Sequence, residues 1–408
     1  MSLFLSREEA FAAVEKFGSP LYVYSEEILR TRCRDLLAGL GGRVHPSYSA
    51  KANSNPVLMS IIREEGFDAD AMSRGEIFIC EKAGFSGSEI LFVGNNVSED
   101  EMAFARDKDI VFSADSLSQL ETFGRVARGG RVAVRLNPGV GAGHCEKVIT
   151  GGRRTKFGID PARCADIREI VKKYDLKLVG VNQHIGSLFL DPSPYIEAAH
   201  NLLAAVLENF EGVEFVDFGG GFGVPYRAEE NRLDFSALRD GLFPLLDDFV
   251  AHYDNKSVRF KCEPGRFPVA ESGLLLGTVH AVKENFGEKY AGTDLGFNVL
   301  MRPILYDSYH EVRAIPRRAE DEVAEKSLIT VVGNICESGD ILASHRMLCP
   351  VHEGDLIAVE NAGAYGYSMT SNYNGRMRPA EVLKTISGEL KLIRKADTLD
   401  RLTENVIM

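Results

Sequence analysis

The sequence predicts an α/β chain: a (β/α)8 barrel over residues 25–270, and a mostly β C-terminal domain over residues 271–408 that includes an N-terminal strand within residues 1–24. Three observations predict it. From about residue 43, short β-rich runs alternate with helix-compatible stretches, which implies parallel pairing through right-handed crossovers. There are eight such runs, the number that closes a barrel. Beyond about residue 270 the helical stretches stop while strand-like runs continue. The same periodicity also suits an open doubly wound sheet.

Taken in order, residues 6–17 read as a short helix, and Pro20-Leu21-Tyr22-Val23-Tyr24 alternates as a strand does. A helix from Ser25 to about Leu40 opens on a serine N-cap, with Glu26 and Glu27 in its first turn. The eight barrel runs are 44–49, 67–71, 90–93, 110–114, 131–137, 178–184, 215–218 and 258–263. Helices are expected between them at 56–65, 74–83, 99–107, 116–126, 161–173, 194–209 and 235–253. Later strands are expected at 274–282, 327–332, 355–359 and 390–393. The strand at residues 21–24 is expected to pair with these, because the barrel interrupts the chain between them.

A chain of 408 residues is too long for one ordinary core, so two domains are expected. Hydrophobic content of 45% and charged content of 26% are those of a soluble globular protein. The net charge of −12 argues against nucleic acid as a partner and toward a small molecule. No apolar run approaches the ~20 residues of a membrane span, and the N-terminus lacks a secretory pattern, so a cytoplasmic location is expected. The seven cysteines are scattered without a CxxC pair, which suggests reduced thiols and no bound metal.

The polar and glycine-rich residues sit just after the strands, where a barrel gathers them on one face. Lys51 follows the first strand; a partly desolvated lysine there is placed to form a Schiff base, although a solvated loop cation is the commoner occupant of such a position. His184-Ile185-Gly186-Ser187 ends the sixth strand and suits stacking on a planar ring or donation to a phosphate. Gly219-Gly220-Gly221-Phe222-Gly223 follows the seventh and offers unobstructed backbone N–H groups to a phosphate. It does not open a helix as a dinucleotide fingerprint does, since Pro225 follows too soon. Glu263-Pro264-Gly265-Arg266 ends the eighth; a buried Glu263 needs a cation, which either Arg266 or a protonated heteroaromatic nitrogen supplies. In the second domain, Arg302 and Tyr306 suit a carboxylate. Cys336 and Glu337 pair a thiol with a carboxylate in a glycine-bounded loop. The stretches 363–369 and 371–374 are dense in small, hydroxyl and aromatic residues and read as binding loops.

Together these motifs, from about Ser19 to Leu383, resemble the pyridoxal-phosphate-dependent decarboxylases of the alanine-racemase-like barrel fold, and within them the diaminopimelate decarboxylase family. The resemblance rests on Tyr48-Ser49-Ala50-Lys51-Ala52-Asn53, His184 to Ser187, Gly219 to Gly223, Glu263 to Arg266, Cys336-Glu337-Ser338-Gly339-Asp340, and Gly363 through Leu383, all in one order. It implies that Lys51 is the attachment point of pyridoxal 5'-phosphate and that His184 stacks on its ring. It places Ser187, Gly220, Gly221, Gly223, Gly265 and Tyr365 at the cofactor, and Glu263 at the pyridine nitrogen. Arg266, Arg302, Tyr306 and Tyr365 are implied at the substrate. Cys336 is implied as the proton donor and Glu337 as a contact to the distal amine, both entering from the other subunit of a homodimer with shared sites. The implied reaction converts meso-2,6-diaminopimelate to L-lysine and CO2; ornithine, lysine, arginine or carboxynorspermidine are the alternative substrates. Simple basic substrates go with aspartate where Glu337 stands, and racemases of this fold place arginine where Glu263 stands. The sequence departs from the commonest family pattern at Asn334, at Thr293 to Phe297, and at 139–154, which contains His144-Cys145.

Overall fold

The computed structural model describes residues 3–143, 150–152 and 155–407; His144-Cys145 lies outside the described residues. The chain divides into two compact units, one of Arg32–Pro225 with Asn231–Pro268, the other of Met1–Thr31, Tyr226–Glu230 and Val269–Met408.

In the first unit, strands Val44–Ser49, Asp68–Ala71, Ile90–Phe92, Val111–Ala114, Arg131–Arg135, Lys177–Asn182, Phe215–Asp217 and Arg259–Cys262 form a closed parallel barrel. Pairing of Phe260 with Val44 and of Cys262 with Pro46 shuts the ring, which excludes the open sheet. The helices between the strands begin where side chains satisfy their free N–H groups. Ser73 Oγ accepts from Glu76 N, Ser116 Oγ from Gln119 N, and Ser98 makes a reciprocal capping box with Glu101. The expected helix at 161–173 starts instead as a 3-10 turn, Pro161–Arg163, before Cys164–Lys173. Asp160 caps it through Ala162 N, and Pro161 carries no N–H to satisfy. Between barrel and helix layer, the rings of Phe92, Phe112 and Phe123 pack with centroids 5.4–5.5 Å apart.

Several strands leave the ladder earlier than the sequence pattern suggests. The sixth ends at Asn182; Gln183 N still donates to Asp217 O at 3.1 Å, and His184 lies on the loop beyond. The eighth ends at Cys262, one residue before Glu263. The residues with chemical character therefore sit on the loops just past the strand ends.

The second unit is built on a nine-stranded sheet. As expected, Leu21–Ser25 belongs to it, antiparallel to Gly273–Asn285 and parallel to Ala380–Lys384. The helix Arg7–Phe17 packs Ala10 and Ala13 against Leu21, Val23, Leu274, Leu276 and Val382. Four strands went unread in the sequence: Glu288–Thr293, Val312–Ile315, Ile341–Leu348 and Ala380–Lys384. Among the described residues no helix is long and apolar enough to cross a membrane.

Phe112 is fully buried between two other rings. Phe112→Ala is expected to lower barrel stability by about 3–5 kcal/mol, read as a shift in urea midpoint at unchanged slope.

Candidate active site

Because all eight strands run parallel, their C-terminal ends gather at one mouth of the barrel. Lys51 stands there in the 3-10 turn Ala50–Ala52, directly after the first strand, and is half-buried. The turn is braced by Tyr48, whose hydroxyl donates to Asn53 O at 3.0 Å. Across the seam, Ser49 N donates to Pro264 O at 3.0 Å and Ser49 Oγ to Glu263 O at 3.2 Å. Two sequence-designated residues, Lys51 and Glu263, are thus tied through neighbouring backbone.

Glu263 is 3% exposed. Burial pushes its carboxyl well above the usual range, and the nearby Asp217 and Asp70 add to this, while Lys51 and Arg135 oppose it. Asn182 Nδ2 lies 3.4 Å from Glu263 Oε1 and is itself fixed by Ser113 Oγ, 2.7 Å from Asn182 Oδ1. Arg266 is not the ion-pair partner that the sequence allowed: its Nη2 donates to Ser187 Oγ at 2.9 Å. The nearest basic group is His184, whose Nδ1 lies 3.9 Å from Glu263 Oε2. His184 Nδ1 accepts the Gly220 N–H at 3.0 Å, so the proton of the neutral ring sits on Nε2. Burial, then the charges of Lys51 and Arg135, lower the His184 pKa well below its ordinary value and keep the ring neutral.

The glycine loop follows from close approach. A Cβ on Gly220 would stand 1.9 Å from Glu263 O, so no larger residue fits where the seventh and eighth strand ends meet. Gly219 N donates to Asp217 Oδ1 at 2.9 Å, and Gly223 N to Phe189 O at 3.0 Å. Among the described residues, no acceptor within the protein meets the N–H of Gly221 or of Gly265.

Three further groups lie at this mouth: Asp70 and Arg135 escaped the sequence reading, whereas Glu76 belongs to the polar stretch Ser73-Arg74-Gly75-Glu76 expected after the second strand. Asp70, on the second strand, is fully buried and accepts from Ser49 Oγ at 2.6 Å. Burial raises its pKa, with Lys51 the strongest opposing charge. Arg135, on the fifth strand, lies 4.7 Å from the Phe157 ring centroid and 3.9 Å from Asp115, and it interacts with both Asp70 and Glu263. Glu76, with its pKa raised by burial, receives Met72 N at 2.7 Å and also feels Lys51. Asp70 and Arg135 each stand in a strand that carries a second charge of the same sign, Asp68 and Arg131, so the sequence does not single them out.

The other designated residues belong to the sheet unit. Arg302 opens the short helix Arg302–Tyr306 and is buried, with Nη1 2.8 Å from His310 Nε2 and Nη2 3.3 Å from Ser308 Oγ. Tyr306, half-buried, ends that helix, and Tyr365 adopts a left-handed backbone with φ of 56°. Cys336 and Glu337 are exposed on a loop whose base Asp340 ties, its carboxylate accepting from Ile335 N and Phe297 N at 2.7 Å each. Among the described residues no group of side chains is arranged to hold a metal.

The barrel mouth fits pyridoxal phosphate on two counts. The free N–H groups of Gly221 and Gly265 suit a phosphate, and a buried carboxylate without a strong cation suits a ring nitrogen that carries a proton. Residues 26–270 match the family model described as pyridoxal-dependent decarboxylase, pyridoxal binding domain. Fold and site thus define a pyridoxal-phosphate-dependent decarboxylase.

A diaminopimelate decarboxylase of Methanothermobacter thermautotrophicus is 40% identical over 408 residues, covering 98% of this chain and 94% of the relative. One of Aquifex aeolicus is 34% identical over 417 residues, covering 98% and 95%. The crystal structure of the M. jannaschii diaminopimelate decarboxylase in complex with L-lysine superimposes with a TM-score of 0.90 at 32% identity, covering 98% and 94%. The chain belongs to the diaminopimelate decarboxylase family.

Gly220→Ala is expected to raise the dissociation constant of pyridoxal phosphate at least about tenfold, a loss of about 1.4 kcal/mol or more. Titration of the apoprotein, followed by visible absorbance, measures it. Unchanged affinity would show that the contact with Glu263 O is relieved without disturbing the loop.

Proposed function

We propose that this chain decarboxylates meso-2,6-diaminopimelate to L-lysine and CO2. One observation carries the reading: the Lys51 turn and the buried Glu263 carboxylate are joined across the barrel seam in a member of the diaminopimelate decarboxylase family. Residues 25–270 serve as the cofactor domain, while residues 1–24 and 271–408 complete the site.

Pyridoxal phosphate, when bound, supplies an electron sink for the pair left on Cα as the carboxylate departs. Lys51 is its attachment point, and its amine works among the carboxylates of Asp70, Glu76 and Glu263. Glu263 would hold the proton on the ring nitrogen of the bound cofactor. The neutral ring of His184 would stack on the cofactor and adds no positive charge to those of Lys51 and Arg135. The N–H groups of Gly221 and Gly265 would hold the phosphate, with Ser187, Gly220, Gly223 and Tyr365 at the cofactor around them. Arg266, Arg302 and Tyr306 orient the substrate carboxylates. Cys336 Sγ delivers the proton that replaces CO2 at Cα, and Glu337 receives the distal ammonium.

Cys336 and Glu337 act in the site of the other subunit of a homodimer. Their exposure on this chain supports that reading, since a proton donor needs a place from which water is excluded. The enzyme works in the cytoplasm, in keeping with the six described cysteines, all free thiols.

Purified, cofactor-loaded protein is expected to release CO2 and L-lysine from meso-diaminopimelate, with kcat/KM at least about 100-fold above that for ornithine, lysine, arginine or carboxynorspermidine. Lys51→Ala should lower kcat by roughly 1,000-fold or more. Product analysis across the panel checks both; faster turnover of any competitor would reassign the substrate.

Shared sites make a separate prediction. Lys51→Ala and Cys336→Ala homodimers, each inactive, should regain up to about a quarter of wild-type activity after mixing, because each heterodimer assembles one intact site. No recovery after demonstrated subunit exchange would place Cys336 in its own subunit's site.

A further inference from the structure

Residues 371–376, which overlap the stretch expected as a binding loop, form a strap against the loop of Cys336 and Glu337. Tyr373 Oη donates to Glu337 Oε1 at 2.6 Å, and Asn374 Oδ1 accepts the Cys336 N–H at 2.8 Å. Both bonds reach the two adjacent residues that carry chemistry on this unit. The strap is anchored at either side. Arg376 Nη2 donates to Asn334 O at 3.1 Å, and Asn372 Nδ2 to Asp397 Oδ2 at 3.1 Å. Under Tyr373 lies Phe297, stacked at 5.6 Å and 24°, and its N–H is held by the Asp340 carboxylate that also ties Ile335. The contacts close a ring: Asp340, Phe297, Tyr373, Glu337 and back along the loop. Asn374 has φ of 55°, a left-handed conformation that asparagine tolerates better than most residues.

Stability does not account for this ring. Tyr373 is 45% exposed and Cys336, Glu337 and Asn374 are exposed too, where hydrogen bonds and ion pairs contribute little to folding. What the ring achieves is a fixed position for one carboxylate and one thiol-bearing backbone before substrate arrives. The bond to Glu337 raises the Tyr373 hydroxyl pKa further above neutrality, in keeping with the phenol as donor.

We propose that Tyr373 and Asn374 are positioning residues: Tyr373 aims the Glu337 carboxylate at the distal ammonium of the substrate, and Asn374 sets the backbone from which Cys336 delivers its proton. The inference rests on the roles proposed above for Cys336 and Glu337. It assigns the two bonds to different steps, one to binding and one to chemistry.

The test is a set of variants of the cofactor-loaded enzyme. Tyr373→Phe keeps the stack on Phe297 and removes only the hydroxyl; it should raise both KM for meso-diaminopimelate and the calorimetric Kd for L-lysine about tenfold, with kcat changed less than about twofold. Asn374→Gly keeps the left-handed backbone and removes the acceptor; it should lower kcat about tenfold with KM little changed, and Asn374→Asp, which restores an acceptor oxygen, should return kcat to within about twofold of wild type. Melting temperatures should stay at the wild-type value in all three. The inference is overturned if Tyr373→Phe and Asn374→Gly leave KM, lysine affinity and kcat as they were, if Asn374→Asp fails to rescue, or if the losses follow melting temperature. Wild type assayed alongside separates the two readings: an active wild type with silent variants defeats the brace alone, whereas a wild type inert toward diaminopimelate defeats the substrate assignment and the brace with it.

Discussion

The seam where the eighth barrel strand meets the first is the constraint on which the site depends. Parallel pairing of Arg259–Cys262 with Val44–Ser49 closes the ring and carries Lys51 and Glu263 to the same stretch of rim. Ser49 then bonds across the seam to Glu263 O and Pro264 O. Neither residue is brought there by a local motif, since more than two hundred positions of sequence separate them. Closure makes a long-range pairing into a rigid one, and the glycine at position 220 lets the seventh strand end approach the same carbonyl. A change in barrel register would move every one of these groups at once.

That closure has an electrostatic cost. Asp70, Asp217 and Glu263 are all buried, and burial raises the pKa of each, Asp217 to about 7. The sign of the linkage follows. A carboxyl with a raised folded-state pKa keeps a proton that the unfolded chain has released. Asp217 therefore favours folding at low pH, and that contribution is lost as pH rises from the ordinary aspartate value of 3.8 through about 7. His184 has the opposite sense: its folded pKa lies well below 6.5, so the unfolded chain gains the proton first and the folded state is penalised as pH falls past 6.5. A proton-bearing ring nitrogen at Glu263, as proposed, would relieve part of the carboxyl cost. The mouth is thereby better matched to its cofactor than to water.

Much of this was legible in the sequence, and the reason is periodicity. Short β-rich runs alternate with capped, helix-compatible stretches along the barrel, so the runs and the helices between them fall within a few residues of the observed elements. What periodicity hides is the inward polar residue. Asp70 lies in Asp-Ala-Asp-Ala and Arg135 at the end of Arg-Val-Ala-Val-Arg, where alternation reads equally well as a solvated face. Only closure of the barrel turns those side chains inside. The sheet unit was harder because its strands are partly exposed. Gly273–Asn285 runs past the expected end at 282 through Lys283 and Glu284 into a hairpin, with φ of 52° at Phe286 and 84° at Gly287. Its partner Glu288–Thr293 starts with two charged residues and carries no strand signal of its own.

The two units meet the demands of the chemistry in different ways. Barrel groups are buried and oriented by neighbours in the same ring: Asn182 beside Glu263, Ser113 behind Asn182, and the Gly220 N–H on His184. Cys336 and Glu337 have no such surroundings on their own chain. In the roles proposed for them, a thiol that gives up a proton only to carbon and a carboxylate that binds one ammonium in preference to water would gain from a dry environment that an exposed loop lacks. In the proposed dimer the other subunit supplies that environment. The loop must then arrive already shaped, because ordering it at the moment of binding would subtract from the binding energy available for catalysis. An exposed brace of two hydrogen bonds and one stacked ring is a small structure, yet it acts where such pre-ordering has its largest effect.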